Sequence, residues 1–82
     1  MNNDHVADRV RACLAQVFNL DPGSLGPDSS PDSVEGWDSL GQLNLIMALE
    51  EEFHVTFTDD QSLQLRNFEL VVSVVREALG ES

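Results

Sequence analysis

The 82 residues suffice for one small domain, and a hydrophobic content of 41% supports a single modest core rather than a disordered chain. Four basic residues against 15 acidic ones give a net charge of -11, which excludes a nucleic-acid-binding face, disfavours anionic membranes and points to basic protein partners. The single cysteine excludes an internal disulfide, and the absence of a membrane-length apolar run or a secretory leader pattern leads us to expect a cytoplasmic protein.

The first periodic segment predicts a helix over residues 4–18, with Asn3 as its N-cap. Its apolar residues fall within roughly 140° of the helical wheel, the width of a helix that lies on a core: Val6, Val10, Cys13, Leu14, Val17 and Phe18. All three prolines lie in the next segment, so residues 19–37 are predicted to form a loop longer than the usual limit of about 12–15 residues. Three apolar residues should attach this loop to the core: Leu20, Leu25 and Val34.

The second helix is predicted over residues 39–53, after Asp38 as N-cap. Its apolar residues spread over roughly 220° of the wheel, which predicts a central helix that contacts several neighbours: Leu40, Leu43, Leu45, Ile46, Met47, Leu49 and Phe53. Residues 50–52 are all glutamates, and carboxylates at a helix C-terminus oppose the helix dipole. Such a run indicates a binding surface, with a solvated charge run as the alternative.

Two further helices are predicted in the last third of the chain. Thr58 and Gln61 have the spacing of a capping box, which starts a short helix over residues 59–65. Asn67 then caps a last helix over residues 68–79, although the β-branched residues between 71 and 75 would also suit a strand. Together the segments predict an all-α fold, an antiparallel four-helix bundle with three main helices, one short third helix and a long loop between helices one and two.

The usual catalytic and metal-binding patterns are weak in this chain. His5 and His54 are not paired with a nucleophile, and Cys13 lies in the apolar arc of helix one, where a buried hydrophobe is the simplest interpretation. An acidic segment that starts at Asp28 lacks the glycine and the glutamate that a calcium-binding loop needs. We therefore expect neither catalytic residues nor a metal site.

The most informative segment is the junction between the loop and helix two. Gly36, Trp37 and Asp38 lead directly into Ser39, which would stand in the first turn of the helix. The free N–H groups and the positive dipole end of a helix favour an anion at this place, so a phosphate ester on the serine would be stabilised. The alternative is that Asp38 or Ser39 is only a helix cap.

The sequence from Asp38 to Phe53 resembles the acyl carrier proteins. It has Asp38, Ser39 and Leu40 at the start of the second helix, an apolar middle, and the glutamate run followed by Phe53 at its end. The resemblance extends over nearly the whole chain and implies one acyl-carrier-like domain over residues 1–82.

The resemblance implies that Ser39 receives 4'-phosphopantetheine from coenzyme A, transferred by a phosphopantetheinyl transferase. This covalent cofactor, called the arm below, ends in a thiol that holds an acyl group as a thioester. Asp38 corresponds to the acid before the serine, and Leu40 to the apolar residue that contacts the transferase. Four residues of helix two should dock onto basic patches of acyl-loading and acyl-processing enzymes: Met47, Ala48, Glu51 and Glu52. An opening that shelters an acyl chain would be lined by Leu43, Ile46, Phe53 and Val72.

The cargo and the pathway stay open. Gly41, Gln42 and Asn44 are uncharged where carriers of fatty acid synthesis often have acids, and Trp37 before Asp38 is more typical of freestanding carriers of specialised pathways. The expected function is that of a monomeric acyl carrier in fatty acid, polyketide or related biosynthesis. The alternatives are an aminoacyl or peptidyl carrier of a nonribosomal-type pathway and an unmodified acidic helical adaptor, with a free-standing enzyme last.

Overall fold

A computed structural model describes residues 4–26 and 28–80 of the chain. It contains four α-helices and one short 3-10 helix: α1 (Asp4–Phe18), the 3-10 helix (Pro22–Ser24), α2 (Ser39–Phe53), α3 (Asp59–Leu63) and α4 (Phe68–Ala78). Over these described ranges there is no β-strand, and the predicted all-α, four-helix class is confirmed. Asn3, the predicted N-cap of α1, lies outside the described residues.

The starts of the last three helices are fixed by the capping side chains that the sequence predicts. The carboxylate of Asp38 and the side chain of Asn67 each accept a hydrogen bond from the amide three residues further on, at 2.9 Å and 2.7 Å. Thr58 and Gln61 form the predicted capping box, in which each side chain accepts a hydrogen bond from the other residue's amide. Each cap satisfies a helix N–H group that has no partner within the helix.

The core lies between α1, α2 and α4. Its fully buried side chains come from these three helices: Val10, Leu14, Leu45, Leu49, Val71, Val74 and Val75. The valines of residues 71–75 are helical, so the strand alternative is wrong. The long loop adds Leu25 and Val34, which were predicted to attach it to the core, and also Trp37.

Helix α2 is less buried than its apolar composition predicts. Its buried residues form one narrow stripe at a spacing of four: Gly41, Leu45, Leu49 and Phe53. Leu40, Leu43 and Met47 are exposed by 68%, 52% and 53%, so the predicted central position of this helix is wrong. The physical reason is that α3 has only five residues and buries none of them, so it does not cover the outer side of α2.

Two ends of elements also differ from the sequence analysis. Helix α3 ends at Leu63 rather than at residue 65, and α4 ends at Ala78 rather than at residue 79. Leu65 lies in the connection after α3, and its side chain is buried in the core. Among the described helices none has the length and apolar character needed to cross a membrane.

Candidate functional site

Ser39, the predicted attachment residue, is the first residue of α2 and is exposed to solvent. The Asp38 carboxylate accepts a hydrogen bond from the Gly41 amide, and the Asp38 carbonyl accepts one from the Gln42 amide at 2.7 Å. The amides of Ser39 and Leu40 have no acceptor among the described residues. An accessible hydroxyl therefore lies beside two free N–H groups at the positive end of a 15-residue helix.

The loop before Ser39 lies unusually close to the first turn of α2. Gly36 has a φ of +91°, which disfavours any residue with a side chain. A Cβ atom on Gly41 would overlap the carbonyl oxygen of Gly36 and would come within 2.9 Å of the Phe18 ring. The uncharged Gly41 is therefore required by packing, because only a residue without a side chain allows the loop to lie there.

Trp37 connects this loop to two helices. The residue is 3% exposed, and its ring stacks on Phe18 with ring centroids 5.5 Å apart. Its indole Nε1 donates to Oε1 of Gln42 at 2.6 Å, and the Nε2 of Gln42 donates to the carbonyls of Ser62 and Leu65 at 3.2 Å and 3.3 Å. Gln42 thus joins the loop, α2 and the end of α3. A buried indole N–H needs an acceptor, and this need is the signal in the sequence that would have identified Gln42.

A cavity of about 490 Å³ opens beside Ser39, between α2 and the end of α3. Trp37, Ile46 and Leu65 give it an apolar lining, and Asp38, Ser39 and Arg66 add polar groups. The cavity is broadly open to solvent. A flexible group attached to the Ser39 hydroxyl would therefore find a mostly apolar surface next to its point of attachment.

Comparisons with known proteins agree with this geometry. The family model described as the phosphopantetheine attachment site matches residues 8–75. The acyl carrier protein of Thermosynechococcus vestitus is 33% identical over 80 residues, which cover 98% of this chain and 99% of that protein. The acyl carrier protein of Solidesulfovibrio magneticus is 32% identical over 76 residues, which cover 93% of this chain and 97% of that protein. The chain belongs to the acyl carrier protein family.

The fold agrees with a solved member of the family. The solution NMR structure of the holo acyl carrier protein from Geobacter metallireducens superimposes with a TM-score of 0.81 at 28% identity, covering 92% of this chain and 86% of that one. Members of the family are carriers, and the cofactor of this family domain is a covalently attached 4'-phosphopantetheine. The described residues fit such a group, since they offer an exposed hydroxyl, two unpartnered amides and an adjacent cavity.

The glutamate run at the end of α2 is partly committed to the fold. The Glu50 carboxylate accepts a hydrogen bond from the Phe57 amide at 2.9 Å and so fixes the link to α3. The Glu52 carboxylate pairs with the Arg9 guanidinium at 2.9 Å, and Arg9 also lies 4.4 Å over the ring of Phe53. Two of the three glutamates therefore have partners within the fold, and neither is simply a solvated charge.

The predicted docking residues differ in their availability. Met47 and Glu51 are exposed on one side of α2, and Ala48 is half-buried beside them. Glu52 is exposed, but its carboxylate is shared with Arg9. No hydrogen bond or ion pair joins the Glu51 side chain to another of the described residues, so its charge is available to a partner.

The four residues that the resemblance assigns to an acyl-chain opening do not line one space. Ile46 lines the cavity beside Ser39, whereas Leu43 is 52% exposed and points away from the core. Phe53 is buried, and Val72 lines a different cavity between α1 and α4. This prediction is wrong because α2 exposes the side on which Leu43 lies.

The remaining titratable candidates take no part in the site. Cys13 is buried, as predicted, and its pKa is raised by that burial and by the Glu52 carboxylate, with Arg9 acting in the opposite direction. His54 is exposed and ends α2 in a left-handed conformation. Within residues 4–26 and 28–80, no three histidine, cysteine or carboxylate side chains gather as metal ligands would.

Proposed function

We propose that Ser39 carries the arm and that the protein presents acyl groups to enzymes of fatty acid, polyketide or related biosynthesis. The observation that carries this proposal is the position of Ser39, an exposed hydroxyl at the start of α2 beside a cavity of about 490 Å³. The proposal retains the expected monomeric state and cytoplasmic location, which rest on composition and resemblance alone.

The residues around Ser39 have separate roles in its modification. Asp38 holds the helix start in place, and Leu40, exposed by 68%, offers an apolar contact for the transferase. The serine Oγ forms a bond to the phosphorus atom of the phosphopantetheine part of coenzyme A. The bond between that phosphorus and the adenosine 3',5'-bisphosphate breaks, and the serine proton is released. The free amides of Ser39 and Leu40 favour the resulting phosphodiester. When bound, the arm supplies the thiol that carries the acyl group.

The outer side of α2 is the proposed docking face for partner enzymes. It comprises Leu40, Leu43, Met47, Ala48 and Glu51, with Glu52 at its edge. The apolar members offer area that a partner can bury, and the Glu51 carboxylate offers an ion pair to a basic residue. Glu52 contributes less than Glu51, because Arg9 already neutralises part of its charge.

The attachment is tested by intact-mass measurement after incubation with coenzyme A and a broad-specificity phosphopantetheinyl transferase. The wild-type protein should gain the mass of one arm, and Ser39→Ala should gain none. Ser73→Ala is the matched control, because Ser73 is an exposed serine on α4. Both variants should unfold within about 0.5 kcal/mol of the wild type, as surface substitutions usually do. An equal mass gain in Ser39→Ala would overturn the assignment.

A further inference from the structure

Arg66 is a cation at the cavity that the proposed attachment residue also lines. It follows α3 in the connection to α4 and lines the same cavity as Ser39. Among the described residues that line this cavity, no other carries a positive charge. Between Arg11 and Arg66 the chain has no lysine or arginine but ten acidic residues, so Arg66 is the first cation after a long negative segment.

The guanidinium of Arg66 is largely uncommitted. Its Nε donates to the carbonyl of Leu63 at 3.3 Å, and no carboxylate among the described residues pairs with it. Arg9 and Arg11 differ in this respect. Arg9 pairs with Glu52, while Arg11 donates to the Leu25 carbonyl at 2.6 Å and lies 4.8 Å over the Phe68 ring. These two arginines stabilise the fold, whereas the terminal N–H groups of Arg66 have no acceptor within the described part of the chain.

A phosphodiester on Ser39 would lie in a negative environment. Asp38 directly precedes Ser39, and its carboxylate already accepts a hydrogen bond from the Gly41 amide at the helix start. The two free amides offer hydrogen bonds but only a partial charge. A full positive charge nearby would offset the repulsion from Asp38, and a guanidinium is well suited to this because its N–H groups match two phosphate oxygens.

We propose that Arg66 binds the phosphodiester of the arm on Ser39 and directs the first part of the arm over the cavity between α2 and α3. This inference rests on the proposed function. The phosphodiester is the anion that Arg66 would meet, because it would be bonded directly to the oxygen of Ser39, and Ser39 and Arg66 line the same cavity. Arg66 is thus a positioning residue for the arm.

The test compares hydrogen exchange at the terminal Nη–H groups of Arg66 by NMR in the apo and holo proteins, at low ionic strength, because the Nε–H already donates to the Leu63 carbonyl. Intact mass first verifies that the arm is attached. Attachment should slow exchange severalfold at Arg66, because the anion engages its guanidinium. The matched control is the double variant Arg66→Gln with Gln64→Arg, which keeps the net charge and moves the cation to an exposed position that does not line the cavity. Exchange at the relocated arginine should not change.

The possible results separate the two proposals. A chain that takes no arm on Ser39 would overturn both. A fully loaded chain in which exchange at Arg66 is unchanged would overturn the role of Arg66 alone. Equal slowing at Arg66 and at the relocated arginine would also overturn it, since a general effect of the added charge would then explain the result. The variants are expected to fold, because both positions are exposed.

Discussion

The two ends of α2 use polar residues in opposite ways. At the N-terminal end Ser39 is exposed, and its amide and that of Leu40 have no acceptor among the described residues. At the C-terminal end, the Glu50 carboxylate accepts a hydrogen bond from the Phe57 amide, and the Glu52 carboxylate forms an ion pair with Arg9. Both ends look like functional signals in the sequence. The fold separates them, because it leaves two amides at the start of α2 without an acceptor and gives partners to the carboxylates of Glu50 and Glu52.

The two ends are also held in place by different means. The N-terminal end depends on the absence of a side chain at Gly41, which lets the Gly36 carbonyl lie against the helix. The C-terminal end depends on the Glu50 carboxylate, which fixes the following link, and on the left-handed backbone of His54, which closes the helix. We therefore expect added volume to damage the first end and loss of charge to damage the second.

The largest expected effect is at the N-terminal end. Gly41→Ala should lower the free energy of unfolding by about 3 kcal/mol, the upper part of the range for overpacking, because the new Cβ meets a backbone carbonyl. Urea unfolding measures this change. Gly26→Ala is the control, since a Cβ there meets no atom within 4 Å. If both variants lost the same small amount of stability, the close packing of the loop on α2 would be refuted.

A smaller effect is expected at the C-terminal end. Glu50→Ala removes the acceptor of the Phe57 amide and should lower the free energy of unfolding by about 1–2 kcal/mol. Glu51→Ala should leave stability unchanged or raise it by about 0.3–1 kcal/mol, because an exposed carboxylate at a helix C-terminus opposes the dipole. The same urea titration compares the two. Equal losses of stability in the two variants would show that Glu50 is no more important to the fold than Glu51.

The smallest effect is a pH dependence at Cys13. Its folded-state pKa is raised above 9.0, first by burial and then by Glu52, so the thiol ionises more easily in the unfolded chain. Its contribution to stability is therefore complete below pH 9.0 and is lost as the pH rises through the folded-state pKa. Cys13→Ala should remove this part of the alkaline loss in pH-dependent urea unfolding.

Glu52 adds a direct check on the same thiol. Glu52→Gln should lower the pKa of Cys13, because the carboxylate raises it. Titration of the thiolate by ultraviolet absorbance measures the shift, and Glu77→Gln on α4 serves as the control at an exposed site. An unchanged pKa in Glu52→Gln would show that the carboxylate does not act on the buried thiol of Cys13.

The sequence predicts best what depends on neighbouring residues. The caps at Asp38, Thr58 and Asn67 are recognisable because each satisfies an amide three residues away. The exposure of Leu43 was not predictable, since it depends on how little of α2 the five-residue α3 covers. A helical wheel also omits the link after the helix, so it gives no reason for Glu50 to turn towards Phe57.

The candidate site shows the same division. The local motif predicts the role of Ser39, whereas Gly41 and Gln42 are notable in the sequence only because they are uncharged. Their roles depend on Gly36 and Trp37, which the fold brings against α2. Arg66 lies 27 positions after Ser39, and only the tertiary structure places the two at one cavity.

The central claim is most directly tested by locating the modification on protein purified from its own cells. Cleavage after glutamate releases the peptide 36–50, in which Ser39 is the only residue with a hydroxyl group. Fragment-ion mass spectrometry should find the arm on this peptide, on Ser39. An unmodified peptide 36–50 from otherwise active cells, or an arm carried on any other peptide, would contradict the account.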